Sequence, residues 1–115
     1  MKLKKKLLFC CNCNLNRSPT FAHFFNKNYP KFEIKSCGVY YGYPEQLNET
    51  ILKWADKVYV MDLSQELFIS QHYPEYLNKV EVIGVSDEYN PDDERLIELI
   101  KYWIKKIQMQ GIVFY

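Results

Sequence analysis

Short apolar runs and helical stretches take turns along this chain four times, and that alternation restricts the fold more than any other feature. Residues 7–10 form an apolar run that reads as a buried strand beginning near Leu3. Ser18 and Pro19 then open a helix, with serine as N-cap and proline at the first helical position. It runs to about Asn28 and buries Phe21, Phe24 and Phe25. Residues 32–37 alternate apolar and polar side chains as a second strand. Residues 44–55 predict a helix with Leu47, Ile51, Leu52 and Trp54 on its apolar side. A third strand follows over 57–61, then a helix over 63–73 stopped by Pro74. The fourth strand spans 79–85, and an amphipathic helix spans 92–109, acidic at its start and ended by Gly111. Strands that alternate with helices predict a parallel sheet with right-handed crossovers.

The 115 residues amount to a single domain, 1–115, and 48% apolar residues are enough for a modest core. A net charge of +1 argues against a general nucleic-acid or membrane-surface binder, since both need a concentrated positive field. Its one basic cluster, Lys4 to Lys6, reads as a solvated strand entrance. Cys10, Cys11, Cys13 and Cys37 are spaced for neither a disulfide framework nor a zinc site, so no metal or other cofactor is expected. No stretch has the apolar length of a membrane span, and the start of the chain does not read as a signal peptide. A reducing cytoplasm is the expected setting, and a reactive thiol persists there.

The segment Cys11-Asn12-Cys13-Asn14-Leu15-Asn16-Arg17-Ser18 lies between the first strand and the first helix. In an open parallel sheet that is where ligands bind. Seven residues, Cys11 to Arg17, can curl so that their N–H groups point inward and cradle an anion, reinforced by the helix N-terminus. Arg17 would add a two-pronged guanidinium to phosphate oxygens. The same positive field favours a thiolate at Cys11, aimed at phosphorus. A lone cysteine at a strand end is more often inert packing. Arginine and serine at fixed spacing, between strand and helix, turn the reading toward chemistry.

The pattern Cys11-x-x-Asn14-x-x-Arg17-Ser18-Pro19-Thr20 resembles the active-site loop of the low-molecular-weight protein tyrosine phosphatases. The likeness continues through Ser36-Cys37-Gly38, Ala55-Asp56 to Met61-Asp62, and Val85-Ser86-Asp87-Glu88-Tyr89. It covers about residues 5–107 and is closest to a compact branch of predicted phosphatases. The architecture expected is three-layer α/β, a four-stranded parallel sheet in the order 2-1-3-4 with helices on both faces. The resemblance implies a phosphatase that hydrolyses phosphate monoesters, phosphotyrosine above all, through a phosphocysteine. Cys11 is then the nucleophile, Arg17 the phosphate clamp, Asn14 the residue that holds the loop's shape, and Ser18 the hydroxyl serving the sulfur. Asp87 is the general acid and base. Asp92 and Asp93 read as charges at a helix start.

Loop residues Asn12, Cys13, Leu15 and Asn16 complete the phosphate cradle. Tyr41, in the tyrosine-rich loop after the second strand, and Tyr89, beside Asp87, are candidates for contact with a substrate ring. Asn16 stands where many members carry a second cysteine, so the usual protective disulfide is not expected. Cys10 and Cys37 are expected in the core, and Cys13 is expected to turn its side chain away from phosphate. The expected partner is a phosphorylated protein or a small phosphate ester, and the oligomeric state stays open. Rival readings are an arsenate reductase of the same fold, a phosphocarrier domain and a phosphate-binding pseudophosphatase. No cysteine follows Cys37 to relay a disulfide, which argues against the reductase.

Overall fold

The computed structural model describes residues 5–43 and 45–109. The expected strand start at Leu3, the first residue of the expected helix at Pro44 and the helix end at Gly111 lie outside the described residues. The elements run β1 (Lys5–Cys11), α1 (Arg17–Asn28), β2 (Phe32–Gly38), α2 (Glu49–Trp54), β3 (Lys57–Val60), α3 (Leu63–His72), a 3₁₀ helix (Pro74–Lys79), β4 (Val80–Val82) and α4 (Glu94–Met109). The sheet has four strands in the order β2-β1-β3-β4, every pair parallel. This is the expected order, and β1, the strand that leads into the cysteine loop, sits inside the sheet.

Side chains alternate across a strand, so β1 supplies two different cores. Leu7, Phe9 and Cys11 face the layer of α1 and α4, with Phe21, Phe25, Leu96, Ile100 and Trp103. Leu8 and Cys10 face the layer of α2 and α3, with Cys37, Leu52, Val58 and Ile69. Phe9 is the hub of the first layer. Its ring centroid lies 5.0 Å from Phe25, 5.4 Å from Phe21 and 5.6 Å from Tyr59. Phe21 and Phe25 lie tilted to it and Tyr59 stacks on it, arrangements that rings at these spacings favour.

Several boundaries differ from the sequence reading, each for a local reason. The first helix starts at Arg17 after Asn16, and Ser18 is not its cap. The Ser18 hydroxyl turns instead toward the loop, within 3.0 Å of Cys11 Sγ. Residues 45–47 are not helical. Gly38 N–H donates to Glu45 O and Leu47 N–H to Gly38 O, which lays this segment beside the end of β2. Asn48 then caps the short α2 through Ile51 N–H. β4 is three residues, because the 3₁₀ helix takes Lys79 and Gly84 turns the chain at φ +89. Glycine tolerates that left-handed backbone without strain. α4 starts at Glu94, since Asp92 has φ 57 and Asp93 caps Arg95 N–H.

Replacing Phe9 by alanine empties the centre of the larger layer. The expected cost is about 3–5 kcal/mol, a large part of the stability of a small domain. Urea unfolding should show it as a strongly lowered midpoint, with Phe9→Leu much milder.

Candidate functional site

Cys11 ends β1, and the chain then curls rather than extends. Asn14 N–H comes back to within 3.2 Å of Cys11 Sγ. The curl requires Asn14 at φ 55, a left-handed backbone that asparagine accepts better than most residues. The Asn14 side chain secures it, because Ser18 Oγ donates to Asn14 Oδ1 at 2.9 Å. Ser18 is fully buried and also lies 3.0 Å from Cys11 Sγ and 3.2 Å from Cys37 O. A hydroxyl has one proton. A thiolate at Cys11 would draw that proton from Asn14 or Cys37 to sulfur by rotation alone.

The loop rests on β2. Val39 N–H donates to Cys11 O at 3.1 Å and Tyr40 N–H to Asn12 O at 2.8 Å. Gly38 makes this approach feasible. A Cβ there would sit 2.8 Å from Asn12 O, Asn14 N and Cys13 C, so any other residue would push the loop backbone away.

Arg17 opens α1 and is 3% exposed. Its Nη1 donates to Asp62 Oδ2 and to Val85 O, both at 2.7 Å. A buried guanidinium without such acceptors would cost several kcal/mol. Asp62 caps α3 through Ser64 N–H at 2.9 Å and also takes the Ser64 hydroxyl. Partial burial pushes the Asp62 carboxyl up, but hydrogen bonds from Ser64 and Arg17 outweigh it and hold the pKa below the usual carboxylate value. Gln65, fully buried, accepts from Asp62 N–H and donates to Asn12 Oδ1, each at 2.7 Å. Asp62 and Gln65 were assigned no role from sequence. Their signal was present as Asp62-Leu63-Ser64-Gln65, a capping-box pattern, but nothing in that pattern says that the box faces the cysteine loop.

Cys11, Asn12, Cys13, Leu15, Asn16, Arg17 and Asp87 line one cavity of about 120 Å³. Asn14 and Ser18 lie buried and bonded to the sulfur from behind. Asp87 reaches this cavity because Val85, two residues earlier, is tied to Arg17. Asp92 is elsewhere. It lies in the groove between α1 and α4, its N–H on Thr20 Oγ1 at 3.0 Å and its carboxylate 3.5 Å from His23 Nδ1. Tyr41 is 89% exposed and Tyr89 lies under Arg95, 5.2 Å from ring to guanidinium carbon. Neither is among the residues lining the cavity. Cys13 is half-buried at the cavity, while Cys10 and Cys37 are fully buried partners across β1 and β2. Contact with Cys37 and burial push the Cys10 thiol far up, which keeps it protonated and inert.

No protein-family model matches this sequence, and no curated protein matches it either. Solved structures do. The tyrosine phosphatase Wzb from Escherichia coli K30, in complex with phosphate, superposes with a TM-score of 0.77 at 20% identity, covering 93% of this chain and 98% of that one. A low-molecular-weight protein tyrosine phosphatase from T. tengcongensis gives 0.74 at 24% identity, covering 95% and 100%. The YwlE arginine phosphatase from Geobacillus stearothermophilus gives 0.70 at 23% identity, covering 92% and 94%. The chain therefore has the low-molecular-weight phosphatase fold over nearly its whole length. Among the described residues no helix is long and apolar enough to cross a membrane.

Two outcomes follow from this geometry. Gly38→Ala should displace the loop and destabilise the domain by about 1–3 kcal/mol, the range for overpacking a tight site, as read by thermal unfolding. Asp62 has a lowered pKa in the folded state, so its stabilisation is present above the unfolded value of about 3.9 and is lost as pH falls through the folded value. The stability gap between wild type and Asp62→Asn should thus be constant near neutrality and close below about pH 4.

Proposed function

We propose that this protein is a cysteine-dependent phosphatase that hydrolyses phosphate monoesters, phosphotyrosine foremost, through a phosphocysteine intermediate. One observation carries the reading: a sulfur held by Asn14 N–H and Ser18 Oγ faces the same small cavity as Arg17 and Asp87. Its structural neighbours are named as tyrosine and arginine phosphatases, which supports the same class of chemistry.

The mechanism follows from the donors and acceptors at hand. The dianionic phosphate enters the loop, where main-chain N–H groups and the helix start favour negative charge. Arg17 Nη1 is committed to Asp62 and Val85, so a two-pronged grip comes from the Nε and Nη2 side of the guanidinium. The Cys11 thiolate attacks phosphorus in line with the leaving oxygen. As the ester P–O bond breaks, the Asp87 carboxylic acid protonates that oxygen. Asp87, now a carboxylate, takes a proton from water. The resulting hydroxide attacks phosphorus, breaks the P–S bond and releases phosphate and the thiolate. The Ser18 hydroxyl can turn to the sulfur each time it carries charge. Donors fixed before the reaction stabilise the transferring group without reorganising. A compartment that keeps thiols reduced suits such a nucleophile.

The test is turnover of para-nitrophenyl phosphate, followed by a panel of phosphotyrosine and phosphoarginine peptides and small esters. Wild type should release para-nitrophenol and Cys11→Ser should not. Asp87→Asn should lower turnover of a poor leaving group by around 10²–10⁴, with Asp92→Asn close to wild type. A crippled Asp92→Asn beside an unaffected Asp87→Asn reverses the acid assignment, and wild type without turnover on any member of the panel removes the hydrolase reading.

A further inference from the structure

Gln65 is fully buried on the first turn of α3, yet both ends of its carboxamide are in use. Its Oε1 accepts from Asp62 N–H at 2.7 Å, the ordinary closing bond of a capping box. Its Nε2 donates to Asn12 Oδ1 at 2.7 Å and lies 3.3 Å from Ser64 Oγ. The amide orientation is fixed by chemistry, because a backbone N–H can only donate and so must meet the oxygen. The cap alone needs only that oxygen. The bond to Asn12, 53 residues earlier in sequence, is additional.

That additional bond closes a circuit. Asn12 is the second residue of the loop and Arg17 the last. Asn12 is held by Gln65, Gln65 by Asp62 N–H, and Asp62 holds Arg17 through its carboxylate. The two arms of the loop are thereby joined through one turn of α3, without passing through the loop backbone. Ser64 Oγ lies 3.5 Å from Asn12 Oδ1, but its proton goes to the nearer Asp62 carboxylate. A loop that must fit a phosphate within a few tenths of an ångström gains from a rigid element spanning its mouth.

We propose that Gln65 is a positioning residue, which fixes the spacing between Asn12 and Arg17 around a bound phosphate. The proposal rests on the phosphatase reading above. It differs from a merely structural cap in one respect: the effect of Gln65 on phosphate must run through Asn12.

A double-mutant cycle separates the two. Wild type, Gln65→Leu, Asn12→Ala and the double variant are compared for inorganic phosphate binding by calorimetry, for kcat and KM with para-nitrophenyl phosphate, and for thermal stability. Each single variant should bind phosphate about tenfold more weakly, and the double variant no more weakly than the worse single. Asn12→Ala should cost less stability than Gln65→Leu, because it leaves the cap intact and removes only the main acceptor of the buried Gln65 Nε2. If Gln65→Leu does not fold, Gln65→Glu takes its place. It keeps an acceptor for Asp62 N–H and removes the donor to Asn12. Phosphate affinity unchanged in Asn12→Ala or in the Gln65 variant, or two losses that simply multiply, overturns the proposal while leaving the phosphatase reading in place. Wild type that neither binds phosphate nor hydrolyses the ester overturns both.

Discussion

A guanidinium shut away from water must be met by acceptors, and at Arg17 that requirement organises three separate stretches of chain. The side chain leaves the first residue of α1 and meets the carboxylate between β3 and α3 and a carbonyl beyond β4. Each of these points lies past the carboxyl end of a strand, where an open parallel sheet gathers its functional loops. The ion pair thus brings together parts that share no local sequence. Asp87, two residues after the tethered Val85, is among the residues lining the cavity beside Cys11.

Much of this was readable beforehand. The alternation of apolar runs with helical stretches specified the layers, and the sheet adopts the expected order. The cysteine, arginine and serine between strand and helix pointed to the loop, and the loop does curl about its sulfur. What stayed hidden was tertiary. Ser18 followed by Pro19 is a sound helix start by propensity, yet Ser18 gives its hydroxyl to the loop and the helix begins two residues sooner. The role of Gly38 could not be read either, because the backbone it must avoid comes from residues 12–14. Leu47 looked helical by its spacing, but Glu45 and Leu47 hydrogen-bond to the end of β2 instead. The aspartate of the α3 cap announced a helix start without disclosing that its second oxygen serves an arginine 45 residues away.

The two cores contribute unequally to the site. The layer of α1 and α4 is dense in rings, with Phe9, Phe21, Phe25, Tyr59 and Trp103 in mutual contact. It clamps β1 and α1, the two elements that bracket the loop. The opposite layer is aliphatic and smaller, with short α2 as one wall. Lys79 steadies that wall, its ammonium donating to Leu52 O at 2.7 Å and Ala55 O at 2.6 Å at the helix end, where positive charge is favoured.

Cys10 and Cys11 are chemical twins separated by one pleat. One looks into the aliphatic layer beside Cys37, the other into the cavity. Strand pairing sorts them: seven rungs with β2 and four with β3 set which of the two lies at the cavity. A slip by one rung would exchange their surroundings and present a thiol with neither the Ser18 hydroxyl nor the Asn14 amide behind it. The backbone ladder of β1 thus acts as an address label, choosing between two identical thiols by parity.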